Sequence, residues 1–162
     1  MKIDKNTVAV AASLFLIGQS LNKSTLNRSS KAEETRANTA TLSILGPSGK
    51  TTLLPLTTVP FTSGSTVLDI SVNVLKATGI PFEVGGSGKG TYITGIDNLS
   101  QLDEGPLSGW LFRIDGNYPS QGPAALTLTK DSTIQWVYTL NLGKDVGAPS
   151  GILQRKGNNF KA

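Results

Sequence analysis

Gly109-Trp110-Leu111-Phe112-Arg113-Ile114-Asp115 and Ser132-Thr133-Ile134-Gln135-Trp136-Val137-Tyr138-Thr139 are the two runs on which the fold turns. Trp110, Phe112 and Ile114 recur at every second residue of the first, and Ile134, Trp136 and Tyr138 at every second residue of the other. Successive side chains leave a strand on opposite sides, so this period predicts two strands with one buried face each. Turn residues bound them: Asp115-Gly116-Asn117 follows the first, and Lys130-Asp131-Ser132 opens the second.

Working outward, Ala40–Leu45 alternates Leu42 and Ile44 with Thr41 and Ser43, and predicts a strand. Gly46-Pro47-Ser48-Gly49 is turn punctuation, and Thr51–Val59 returns as a second strand, with Pro55 placing it at an edge or bulge. The two read as a hairpin. Ser65 is the expected cap of a helix whose stripe is Val67, Leu68, Ile70, Val74 and Leu75, with Asp69 and Ser71 facing outward and Gly79 closing it. Ile80–Val84 reads as a third strand with Phe82 buried, Tyr92–Ile96 as another, and Asp97–Gly105 as a polar loop. The order strand–strand–helix–strands predicts one α+β domain over residues 40–142, with Val67, Leu68, Leu75, Trp110, Phe112, Trp136 and Tyr138 in its core.

Composition narrows the chemistry. The 162 residues include no Cys and no His, which excludes Ser-His-Asp and Cys-His nucleophilic systems and the usual zinc, haem and iron–sulfur ligands. Net charge is +4 but unevenly spread. Residues 1–40 carry six basic and three acidic side chains, residues 41–142 five against seven, and residues 143–162 four against one. The folded part is slightly acidic between basic tails. A nucleic-acid footprint needs cations gathered on a folded face, so no nucleic-acid partner is expected.

Lys2 and Lys5 precede an apolar run from Val8 to Gly18, too short to span a membrane as a helix but suited to a signal-peptide core. Residues 1–20 are therefore expected to be a signal peptide cleaved after Ser20, so that membrane contact occurs only during export. Residues 21–39 are polar and read as a linker, and residues 143–162 as a flexible basic tail. The expected location is extracellular or at the cell surface.

Several groups invite a functional reading. Tyr92 and Tyr118 sit near loops and, with Asp115, are the candidate ligand-binding residues. Asp97, Asp103 and Glu104 are weak calcium candidates, although their spacing matches no calcium loop. Two carboxylates also invite a glycosidase reading, but nothing specifies the separation that chemistry requires. Gly85-Gly86-Ser87-Gly88-Lys89-Gly90 lacks the phosphate-loop spacing and no helix follows it. Trp110, Phe112, Trp136 and Tyr138 offer an aromatic platform on paper; strand alternation favours a core face instead. No catalytic residue is assigned, and no enzyme is expected.

The elements that carry a family likeness are Val67-Leu68-Asp69 opening the helix, Tyr92-Ile93-Thr94-Gly95-Ile96-Asp97, Gly109-Trp110-Leu111-Phe112-Arg113-Ile114-Asp115-Gly116, and Leu128–Thr139. Together they resemble a family of bacterial exported domains similar to the carboxy-terminal domain of transcobalamin and intrinsic factor. That family shows Gly-Trp, an aromatic and Val-Asn-Gly, then Asp-Gly-Asp-x-Ile-x-Trp-x-Tyr. Here Ile114-Asp115-Gly116 stands for Val-Asn-Gly, and Lys130-Asp131-Ser132 for Asp-Gly-Asp. The resemblance implies a β-grasp-like mixed sheet packed on one helix. It also implies cobalamin as a possible ligand, covered in the vitamin carriers by a second, helical domain.

Three functions are open from the sequence. The first is an exported binding or adhesion module whose partner is a protein or glycan. The second is a cobalamin-like small-molecule binder, with a corrinoid held near Tyr92, Asp115 and Tyr118. The third is a filament or coat subunit in which Gln19–Thr39 adds to a neighbouring sheet.

Overall fold

The computed structural model describes residues 38–150. The alternating runs form strands as expected. β1 (Asn38–Pro47) and β2 (Thr52–Phe61) make the antiparallel hairpin. They are followed by α1 (Val67–Thr78), β3 (Phe82–Gly85), β4 (Tyr92–Ile96), β5 (Leu99–Ser100), β6 (Gly109–Ile114) and β7 (Thr133–Thr139). The four-stranded sheet runs β2-β1-β7-β6; β1 and β7 are parallel and its other pairs antiparallel. It is the mixed sheet that the family resemblance implied. A separate antiparallel sheet, β3-β4-β5, was not anticipated; its third strand lies inside the stretch expected to be only a polar loop. No described helix is long and apolar enough to cross a membrane.

α1 starts one residue later than expected, with Thr66 rather than Ser65 as cap. Thr66 Oγ1 accepts from Asp69 N at 3.1 Å, and Asp69 Oδ2 accepts from Thr66 N at 2.9 Å. This reciprocal capping box satisfies two end groups that the helix itself leaves open. Gly79 ends the helix at φ 70, a left-handed conformation that costs glycine little.

The helix stripe packs on the aromatic face of the four-stranded sheet. Val67, Ile70 and Leu75 meet a core that includes Leu42, Ile44, Ile134, Trp136 and Tyr138. Burying each such large side chain contributes about 1.5–3 kcal/mol. Trp110 and Tyr138 stack edge-on at 5.1 Å, and Phe112 lies tilted on Trp136 at 5.3 Å. Each polar tip has a partner: Trp110 Nε1 donates to Leu99 O at 2.7 Å and Tyr138 Oη donates to Ser100 O at 2.7 Å. These bonds fasten β5 to the aromatic strands.

Ser71 corrects the sequence reading. It is buried, one turn from Val67 and one turn from Leu75, on the face turned to the core. A hydroxyl is tolerated there because it donates to Val67 O at 2.7 Å and accepts from Trp136 Nε1 at 2.9 Å. Leu68 and Phe82, both expected in the core, are half-buried and pack on its margin.

Asp131 takes φ 64 at the place where the resembling family has glycine. Aspartate tolerates this left-handed conformation better than most residues, and Asp131 N donates to Thr39 O at 2.8 Å. The Asp115-Gly116 pair likewise has φ 50 and 80, closing a two-residue turn in which Ile114 and Asn117 exchange backbone bonds.

The expected tail boundary is corrected. Lys144–Val146 form a 3-10 turn after β7. The Asp145 carboxylate accepts from Thr139 Oγ1 at 2.5 Å, Ser48 Oγ at 2.7 Å and Leu140 N at 2.9 Å. Residues 143–148 are thus held at the end of the sheet. The linker also ends earlier than residue 39, since Asn38 and Thr39 pair with Phe61 and Pro60 in the hairpin. The signal peptide, the rest of the linker and residues 151–162 lie outside the described residues.

Candidate ligand-binding groove

A groove of about 620 Å³ runs between α1 and the β3–β4 hairpin. Leu68, Val72 and Lys76 contribute from successive turns of the helix, with Asp69 and Asn73 beside them. Phe82, Val84 and Thr91 form the opposite wall. Small-molecule pockets usually fall between about 300 and 1,000 Å³.

The chain builds this groove by widening the apolar stripe of α1. Leu68 and Val72 flank the buried line rather than lying in it, so each keeps one side toward solvent. Val84 is 50% exposed, unusual for a valine, because its strand is at the sheet edge and nothing described covers it. The two charged lining residues differ. Asp69 is committed to the helix cap, accepting from the Thr66 backbone and hydroxyl. Lys76, at the other end of α1, enters the capping network only through its backbone carbonyl, which accepts from Gly79 N at 3.3 Å.

The expected ligand residues are placed differently. Tyr92 begins β4 opposite Gly85, with its ring beside that glycine. Tyr118 Oη donates to Val146 O at 2.7 Å, and burial pushes its pKa up. Asp115 Oδ1 accepts from Thr133 N at 2.7 Å and so ties the turn after β6 to the first residue of β7. Asp115 and Tyr118 are hydrogen-bonded to neighbouring backbone, and none of the three lines the groove, although Thr91, next to Tyr92, does. Among the described residues no three acidic side chains gather as a metal site. Asp103 Oδ2 instead accepts from Ser100 N at 2.7 Å, and Asp97 occupies a left-handed turn position. Sequence reasoning missed Val72, Asn73, Lys76, Val84 and Thr91. The available signal was the pair Leu68 and Val72, spaced one turn apart beside the core stripe.

Residues 64–139 match the family model described as Domain of unknown function (DUF4430). This segment, just under half of the chain, is similar to that family. The match spans α1 through β7 and so includes the groove, while β1 and β2 precede it. A solved structure of haptocorrin in complex with Cbi is similar at 20% identity and TM-score 0.56, over 65% of this chain and 25% of that one. The present chain therefore spans a quarter of haptocorrin's length, and the likeness concerns the fold. It agrees with the transcobalamin-type carboxy-terminal fold expected from the aromatic strands. A protein of Ruminococcus gnavus ATCC 29149, provisionally named a metal binding protein, is similar at 15% identity and TM-score 0.41, over 62% of this chain and 95% of that one. No curated protein matches the chain. Within the matched segment, the groove combines apolar walls, a polar rim and an open sheet edge.

Proposed function

We propose that this chain is a non-enzymatic binding module, exported to the cell surface or an extracellular assembly, and that the α1–β3 groove is its contact surface. The observation that carries this reading is the groove itself: apolar Leu68, Val72, Phe82 and Val84 face one another with polar groups at the rim. The chain has neither Cys nor His to support nucleophilic or imidazole chemistry. Export rests on Lys2, Lys5 and the run Val8–Gly18. Mass analysis of the secreted protein tests it: a new amino terminus near Gln19–Leu21 supports export, and retention of Met1 in the cell removes it. A groove-lining change, Val72→Glu, should abolish capture of the natural partner, protein or glycan, while leaving the fold intact by circular dichroism.

A second reading is a corrinoid ligand, favoured by the fold shared with haptocorrin, which was solved with Cbi bound. One domain alone would cover only one side of such a flat ligand, so binding would be weak unless a partner completed the site. Titration of the purified chain with cobinamide and cobalamin tests it. A saturable spectral shift supports the reading, and none at about 100 micromolar removes it.

A further inference from the structure

We infer that the groove accepts an extended peptide as an added strand on β3, with apolar side chains entering between β3 and α1 and an acidic residue meeting Lys76. The inference deepens the binding-module reading and rests on the groove being the contact surface.

The backbone pattern comes first. Asp97 N donates to Pro81 O at 2.8 Å, and Phe82 is opposite Ile96. In an antiparallel ladder this makes Phe82–Ile96 the non-hydrogen-bonded pair. The N–H and C=O of Phe82 consequently point away from β4. β3 is the outer strand of its sheet, and no backbone partner for these groups is found among the described residues. An unpaired edge of this kind is a template for another strand.

Side chains supply the selectivity. Phe82 and Val84 lie two residues apart, on one face of β3, and both line the groove. Leu68, Val72 and Lys76 form the facing wall. From Leu68 to Lys76 the helix rises about 12 Å, which matches three to four extended residues at about 3.3 Å each. A peptide with apolar residues at alternate positions would place them toward these walls.

Charge sets the direction. Asp69 already accepts two bonds from Thr66. Lys76 is the basic residue of the last turn of α1, next to the start of β3. It is the lining charge left for a ligand, and it favours a carboxylate on the peptide at that end. The opposite face of β3 is occupied, because Glu83 accepts from Ser100 Oγ at 3.0 Å.

The test uses the full chain and a fluorescein-labelled peptide, acetyl-Glu-Val-Thr-Val-Thr-Val-amide, read by anisotropy. Saturable binding in the range of about 10–100 micromolar is expected. Methylating alternate backbone nitrogens of the peptide should weaken it at least about tenfold, because strand addition needs those donors. Val84→Glu, at an exposed position that leaves folding intact, should also weaken it about tenfold. Lys76→Glu should reverse the preference, so that the peptide headed by Lys binds better than the one headed by Glu. Peptide binding should slow hydrogen exchange at the Phe82 amide. The inference is overturned if no peptide binds at about 1 millimolar, if the methylated peptide binds as well, or if Val84→Glu changes nothing. Cobinamide binding without peptide binding would overturn strand addition while leaving the binding-module reading standing.

Discussion

Trp136 Nε1 donates to Ser71 Oγ at 2.9 Å, a buried bond that joins the central strand of the sheet to the middle of α1. Residues 65 positions apart are thereby fixed in one relative orientation. The helix flank that forms one wall of the groove is held in place by a contact on the adjoining, core-facing side of α1.

Replacing Ser71 by Ala should leave the indole N–H buried without a partner. The expected loss is about 1–3 kcal/mol in unfolding free energy. Urea denaturation of the variant beside the parent measures it, and an unchanged midpoint would show that the indole had found another acceptor.

Thr66→Ala removes the acceptor for Asp69 N and one half of the capping box. A cost of about 1 kcal/mol is expected. Thr66→Ser keeps an oxygen in the same place and should recover most of that loss in the same denaturation series.

Asp145 governs the acid limb. Burial opposes charge on its carboxylate, but hydrogen bonds from Thr139, Ser48 and Leu140 outweigh it and lower its pKa below the usual 3.8. The native state thus binds the proton less readily than the unfolded chain. The resulting stability is present above pH 3.8 and is lost as pH falls through the lower, native pKa. Its size is small, since water screens much of the group. A thermal series from neutral to acid pH should show Asp145→Asn less stable than the parent at neutrality and nearly equal to it at the acid end.

Both tryptophans should be optically sheltered. Trp110 is 4% exposed and Trp136 1% exposed. Native emission should be blue-shifted, and acrylamide should quench it far less than in urea. Full quenching of both indoles in the native state would contradict the packing of α1 on the aromatic strands.

The parts of the fold legible from sequence are those with local causes. Alternation in Ile134-Gln135-Trp136-Val137-Tyr138 exposes a strand, and Gly79 marks a helix end, because both effects act within a few residues. Ser71 was misread since its justification is an indole far along the chain. The second sheet was missed for a similar reason: Leu99–Ser100 is too short to show a period, and it is held by Trp110 and Tyr138. Asp115 and Tyr118 looked available for a ligand, yet their bonds to Thr133 N and Val146 O are nonlocal and leave no trace in the sequence pattern. The groove was half legible, through Leu68 and Val72; its other wall depends on how the β3–β4 hairpin docks.

The parallel pairing of β1 with β7 has a practical corollary for anyone trimming the protein to its recognised family segment. A fragment beginning near residue 64 would lack Leu42 and Ile44, which register with Ile134 and Trp136. One whole flank of β7 would then be laid bare, with amide groups and indole surface together. Such a fragment should self-associate or precipitate, whereas one that begins before Asn38 should stay dispersed.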